Sequence, residues 1–81
     1  MKEYGITLST IDNAKNFNSV VTRYDVDMDL VNGRYVIDAK SIMGLFSLDL
    51  SKKVKLVIHS TEMNLITQIT TELKEKGIEL T

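Results

Sequence analysis

Lys40-Ser41-Ile42-Met43-Gly44-Leu45-Phe46-Ser47-Leu48-Asp49-Leu50 is the one apolar cluster in the chain that does not resolve into the buried face of a regular element. Ser41 stands where a helix N-cap belongs, its hydroxyl oxygen able to accept from a first-turn N–H, and a periodic apolar run follows at once. Ile42, Met43, Leu45, Phe46 and Leu48 then cover most of the circumference of a turn or two of helix. A helix this short cannot bury all of them against one layer, so the surplus must face water or a partner. Ile42 or Leu45, with Leu48, must still point inward to hold the helix down.

The flanks supply that layer. Before the cluster, Val26, Met28 and Leu30 alternate with Asp25, Asp27 and Asp29, and Tyr35 with Ile37 follows Asn32-Gly33, a pair suited to a tight hairpin turn. After it, the polar Ser51-Lys52-Lys53 leads into Val54, Leu56 and Ile58 at the period of two expected of a strand. Tyr4, Ile6 and Leu8 give a first strand. Ala14, Phe17, Val20, Val21 and Tyr24 recur at helical spacing behind a cap at Ser9, Thr10 or Asp12. Leu65, Ile66, Ile69 and Leu73 form the stripe of a last helix, with Ser60 or Thr61 as cap, Glu72 and Lys76 as an i,i+4 pair, and Gly77 as terminator. The order β-α-β-β-α-β-α predicts a single α+β domain over residues 1–81, an open-faced sandwich with three helices on one face of an antiparallel sheet.

Composition narrows the function. Ten Lys plus Arg against eleven Asp plus Glu leave a net charge of −1, too weak a field to gather nucleic acid or an acidic membrane. Cysteine is absent, which removes thiolate chemistry and suits a reducing compartment. No stretch approaches the roughly 18 apolar residues of a membrane span, and the first residues lack a signal-peptide h-region, so a cytoplasmic protein is expected. Paired carboxylates with a base, glycine-rich phosphate loops and metal-ligand spacings are all missing. The chain is therefore expected to be neither an enzyme nor the holder of a cofactor or metal.

The string Lys40-Ser41-Ile42-Met43-Gly44, followed by Leu45-Phe46-Ser47-Leu48, resembles the regulatory-serine segment of HPr, the histidine-containing phosphocarrier family of the bacterial sugar phosphotransferase system. Asn32-Gly33, Tyr24-Asp25 and the element order extend the likeness over essentially the whole chain. The resemblance implies a sheet of order 1-4-2-3. It also implies an active-site histidine just after the first strand, and there the chain departs. Aligned on Tyr24 without gaps, Thr10 takes the phosphohistidine position, Asp12 that of the arginine and Asn13 that of the proline; residues 1–25 hold no His and the chain no Pro. Phosphohistidine transfer needs a nucleophilic imidazole nitrogen and a cation or helix N-terminus to hold the phosphoryl group. Thr10 provides no such nucleophile and Asp12 would repel phosphate, so no phosphocarrier activity is expected.

The retained serine carries a different expectation. In relatives of the family it is phosphorylated by an ATP-dependent HPr kinase, and the product works with a catabolite-control regulator. The resemblance thus points to Ser41 as a phosphorylation site, with Ile42, Met43 and Phe46 as partner-binding residues. Two alternatives stay open: a constitutive protein-interaction domain docking through the same helix, and a ferredoxin-like small-molecule sensor, which would show strand order 4-1-3-2.

Three other features have plain readings. Asp25, Asp27 and Asp29 imitate the start of an EF-hand loop, but Leu30 replaces the required Gly and Val36 the chelating Glu, so a solvated strand face is expected, one that also guards the sheet if it lies at an edge. His59, the only histidine, falls on the exposed parity of its strand. Lys52, Lys53 and Lys55 read as a solvated basic cluster, with steering of an acidic partner as the alternative.

Overall fold

A computed structural model describes residues 1–49 and 51–81; Leu50, which closes the central cluster, lies outside the described residues. The elements are β1 (Lys2–Ile6), α1 (Ile11–Val21), β2 (Met28–Asn32), β3 (Tyr35–Asp38), α2 (Ile42–Phe46), β4 (Val54–Ile58) and α3 (Met63–Glu75). The strands form one sheet in the order β1-β4-β2-β3, every neighbouring pair antiparallel. This is the open-faced α+β sandwich expected, and the order rules out the ferredoxin-like arrangement.

Period-two alternation explains the layering. Ile6, Leu56, Ile58, Met28 and Leu30 point to one side of the sheet and are fully buried against Phe17, Val20, Ile69, Leu73 and Leu45 of the helices. Leu8 is also buried, although β1 ends at Ile6. The opposite face is uncovered by helices, yet Val57 there keeps only 6% of its surface exposed. It lies on the central strand β4 between Glu3 and Asp29. The Glu3–Lys55 ion pair (3.3 Å) and the His59–Asp29 contact (2.7 Å) on the same face roof it over.

Several boundaries differ from the sequence expectation for identifiable reasons. β2 starts at Met28 and extends to Asn32, which pairs with Tyr35, so the turn consists of Gly33 and Arg34. Only Gly33 takes a positive φ, 62°, as the first central position of a type II′ turn requires. β2 lies inside the sheet and holds only Asp29 of the three aspartates, Asp25 and Asp27 preceding it, so the acidic row guards no edge; the edges are β1 and β3. α3 has Glu62 at its N-cap with no side-chain cap bond, while Ser60 Oγ accepts from Glu62 N at 3.1 Å just outside it. Glu72 bonds Arg23 and Tyr24 across to the end of α1 rather than acting in a local pair with Lys76. At the C-terminus of α3, Gly77 (φ 82°) allows Ile78 N to reach Leu73 O at 3.0 Å and Gly77 N to reach Lys74 O at 2.9 Å, a Schellman stop.

One element escaped the periodicity altogether. Leu80 bridges Ile6, and Gly5 and Thr81 exchange two backbone hydrogen bonds of 3.1 and 2.9 Å. The outer edge of β1 is thereby partly paired, and no residue beyond Ile78 had suggested it.

Candidate functional site

The segment from Asp38 to Ser47 is built on a backbone turn held at several points. Ser41 N donates to Asp38 O at 3.0 Å, and Lys40 N to Asp38 Oδ1 at 2.9 Å. From α1, Asn18 Nδ2 donates to Lys40 O at 2.8 Å, and Lys40 Nζ reaches back to Tyr24 O at 2.6 Å. Lys40, beyond its place in the Lys40–Gly44 string, thus ties the start of α2 to the far end of α1. The contacts span 22 and 16 residues and carry no local signature.

Ser41 occupies the N-cap in extended conformation (φ −88°, ψ 108°), and its Oγ accepts from Gly44 N at 3.1 Å. The residue is exposed. At Gly44 a Cβ would stand 3.3 Å from Ser41 Oγ and 3.4 Å from Ile37 Cδ1, so a larger residue would press on the cap hydroxyl and reach ordinary contact with strand β3.

The apolar residues of α2 divide into two sets. Leu45 is fully buried and anchors the helix; Ile42 and Leu48 are half-buried against the same core. Met43 and Phe46 stand out, with 77% and 44% of their surface exposed. Five residues of helix cannot turn all of these inward, and the two that remain outside lie on the same short element as the cap. Ile42, grouped with Met43 and Phe46 from sequence, is the one of the three engaged in packing. Beyond the helix, Asp49 Oδ1 accepts from Ser51 Oγ (2.6 Å) and Ser51 N (3.1 Å), bonds that hold its carboxyl below the usual carboxylate range.

Thr10 caps α1, its Oγ1 accepting from Asn13 N at 3.0 Å, and is exposed, as are Ile11 and Asp12. Its hydroxyl is thus engaged in a cap bond, and no imidazole stands beside it, because His59 sits past the end of β4. There His59 Nε2 meets Asp29 Oδ2 at 2.7 Å and its backbone N donates to Asp27 O at 2.9 Å, so the acidic strand face supplies the histidine's partners. Lys55 of the basic cluster pairs with Glu3. Among the described residues no helix is long and apolar enough to cross a membrane.

No protein-family model matches the chain, and no curated protein matches it. Solved structures do. HPr-C-His from Thermoanaerobacter tengcongensis superposes with a TM-score of 0.72 at 25% identity, over 94% of this chain and 94% of that one. The catabolite repression protein Crh of Bacillus subtilis, crystallised as a domain-swapped, intertwined dimer, superposes with a TM-score of 0.63 at 27% identity, over 88% of this chain and 85% of that one. With the strand order and the helix placement in agreement over about nine-tenths of its length, the chain is a relative of the HPr family.

Proposed function

We propose that this HPr-family relative is a regulatory, protein-binding member that does not carry phosphate on histidine, acts through the α2 surface, and is switched by phosphorylation of Ser41. The observation that carries the reading is one short helix combining an exposed serine at its N-cap with exposed Met43 and Phe46 above a buried Leu45. A phosphoryl group on Ser41 would place about −1.5 to −2 charges at the unpaired N–H groups and the positive end of the helix dipole, where the fold tolerates them. Partners would read the change as new charge beside an apolar patch. On this reading the protein is a non-enzymatic, single-domain cytoplasmic component whose partners are an HPr kinase and a catabolite-control regulator.

Incubation with HPr kinase and labelled ATP tests the switch. The parent should take up label and Ser41→Ala should not; an unlabelled parent removes the switch from the proposal. Incubation with enzyme I and labelled phosphoenolpyruvate tests the other half, where acid-labile label on the chain would overturn the loss of phosphotransfer at Thr10.

The exposure of Met43 and Phe46 also favours a second reading, constitutive docking without modification. Substituting both with Asp should then abolish partner binding and leave the circular dichroism spectrum unchanged, whether or not Ser41 is phosphorylated.

A further inference from the structure

The two edges of the sheet are unequal. β1 is partly paired along its outer side by Leu80 and Thr81, whereas among the described residues no strand pairs with the outer side of β3, where Asp38 O accepts only from Ser41 N of the following turn. Open edges in monomers are usually protected by lysine, proline, a bulge or a covering loop. β3 has none of these residues: its sequence is Tyr-Val-Ile-Asp, with Tyr35 68% and Val36 61% exposed.

The turn fixes which groups this edge presents. Asn32 and Tyr35 close a two-residue turn and so form a hydrogen-bonded pair, and antiparallel alternation then directs the N–H and C=O of Val36 away from β2. Val36 shares the open face of the sheet with Val31, its cross-strand neighbour, while Ile37 packs on the core side. Arg34 flanks Val36 on one side and Asp38 on the other. Arg34 is exposed and makes no ion pair among the described residues; the Asp38 carboxylate is fixed by its bond from Lys40 N.

We infer that the β3 edge pairs antiparallel with the β3 edge of a second copy of this chain about a twofold axis at Val36. In that register Val36 exchanges both backbone hydrogen bonds with the second copy's Val36. Arg34 stands opposite the second copy's Asp38, and Tyr35 opposite the second copy's Ile37. A twofold centred on Ile37 would instead set Arg34 against Lys40 and present the wrong backbone groups, so charge and hydrogen-bond parity select the same register. The result is an isologous contact joining two four-stranded sheets into one. A four-residue edge buries less than the ~1,000 Å² of a stable interface, so the dimer is weak and in rapid exchange. It exchanges no chain segment and is independent of the state of Ser41.

Sedimentation velocity from about 10 μM to about 1 mM, the range suited to small interfaces, tests the pairing. The parent should show a reversible monomer–dimer equilibrium that re-forms monomer on dilution. Val36→Pro removes the outward N–H and leaves the β2–β3 ladder untouched, so its circular dichroism should match the parent and its dimer should be lost. Arg34→Glu, which keeps the backbone intact, should weaken dimerisation at least tenfold, and a mixture of Arg34→Glu with Asp38→Lys should form heterodimer in preference to either homodimer. A parent still monomeric at about 1 mM overturns the inference. So does a dimer indifferent to both Val36→Pro and Arg34→Glu, which would locate the contact elsewhere, or one that fails to dissociate on dilution, which would indicate segment exchange.

Discussion

Replacing Ser41 by Ala removes the oxygen that accepts from Gly44 N at 3.1 Å and leaves a first-turn donor to water. Loss of a serine cap to alanine costs about 0.5–2 kcal/mol. α2 has only five residues, too few to be stable from propensity, so no neighbouring turn shares the loss and the upper half of that range, about 1–2 kcal/mol, applies. In a domain of this size each kcal/mol moves the midpoint by about 4–8 °C, which gives a fall of about 5–15 °C. Thermal and urea unfolding followed by circular dichroism measure it. Ser41→Asn and Ser41→Asp are caps of equal rank and should remain within about 0.5 kcal/mol of the parent, Asp gaining slightly from the helix dipole. If phosphate oxygens can replace Oγ as acceptors, the phosphorylated protein should be no less stable than the parent. An alanine variant as stable as the parent, or an aspartate variant that falls as far as alanine, would refute the capping argument and with it the claim that charge is tolerated at this position.

Leu45→Ala should cost about 2–5 kcal/mol, because the side chain is fully buried and is the chief anchor of α2; a urea series in which Met43→Ala and Leu45→Ala shift equally would contradict the division of the helix into a buried and an exposed set. The Tyr24 phenol is held above its ordinary value by burial first, then by its bond to Glu72 and that carboxylate's charge, with Arg23 opposing. A raised phenol pKa favours the neutral form in the fold, so this contribution is present below about pH 10 and is lost as pH climbs through the folded-state value. Stability against pH should therefore fall less steeply above about pH 10 in Tyr24→Phe than in the parent, and parallel alkaline limbs would exclude the linkage. Gly77→Ala forces a Cβ into φ 82° and should cost about 1 kcal/mol by thermal unfolding, with the open space around the site leaving strain as the only cause.

Much of the fold was legible because its determinants are local and periodic. Alternation at Met28–Leu30 and Val54–Ile58, helical spacing through Phe17 and Leu73, and a glycine at position 77 each report one element from its own residues. What failed was whatever a distant partner decides. Glu72 has the right spacing for a pair with Lys76, but Arg23 and Tyr24 approach it from 49 and 48 residues away. Val57 has the parity of a solvated residue and is buried because neighbouring strands cover it. Asn32-Gly33 announced the hairpin, while which residues sit inside the turn followed from the pairing of Asn32 with Tyr35. The cap at Ser41 was legible for the same local reason as the strands; the clamp through Asn18, Tyr24 and Lys40 was not.

Asp38 connects the two surfaces. Its backbone O accepts from Ser41 N and its Oδ1 from Lys40 N, so the last residue of the β3 edge is also the floor on which α2 begins. Ile37 of β3, whose Cδ1 lies beside Gly44, adds a second point where strand and helix meet. Replacing the Asp38 carboxylate therefore removes an edge charge and the bond from Lys40 N together, while the backbone bond from Ser41 N and the cap bond from Gly44 N remain. Arg34 lies in the turn at the other end of β3, away from that junction, and a substitution there leaves the hydrogen bonds at Ser41 intact. The edge and the serine helix are thus separable at Arg34 and share Asp38, and a protein that binds through α2 while pairing through β3 would couple the two most directly through the backbone at Asp38, with the Ile37 contact beside it.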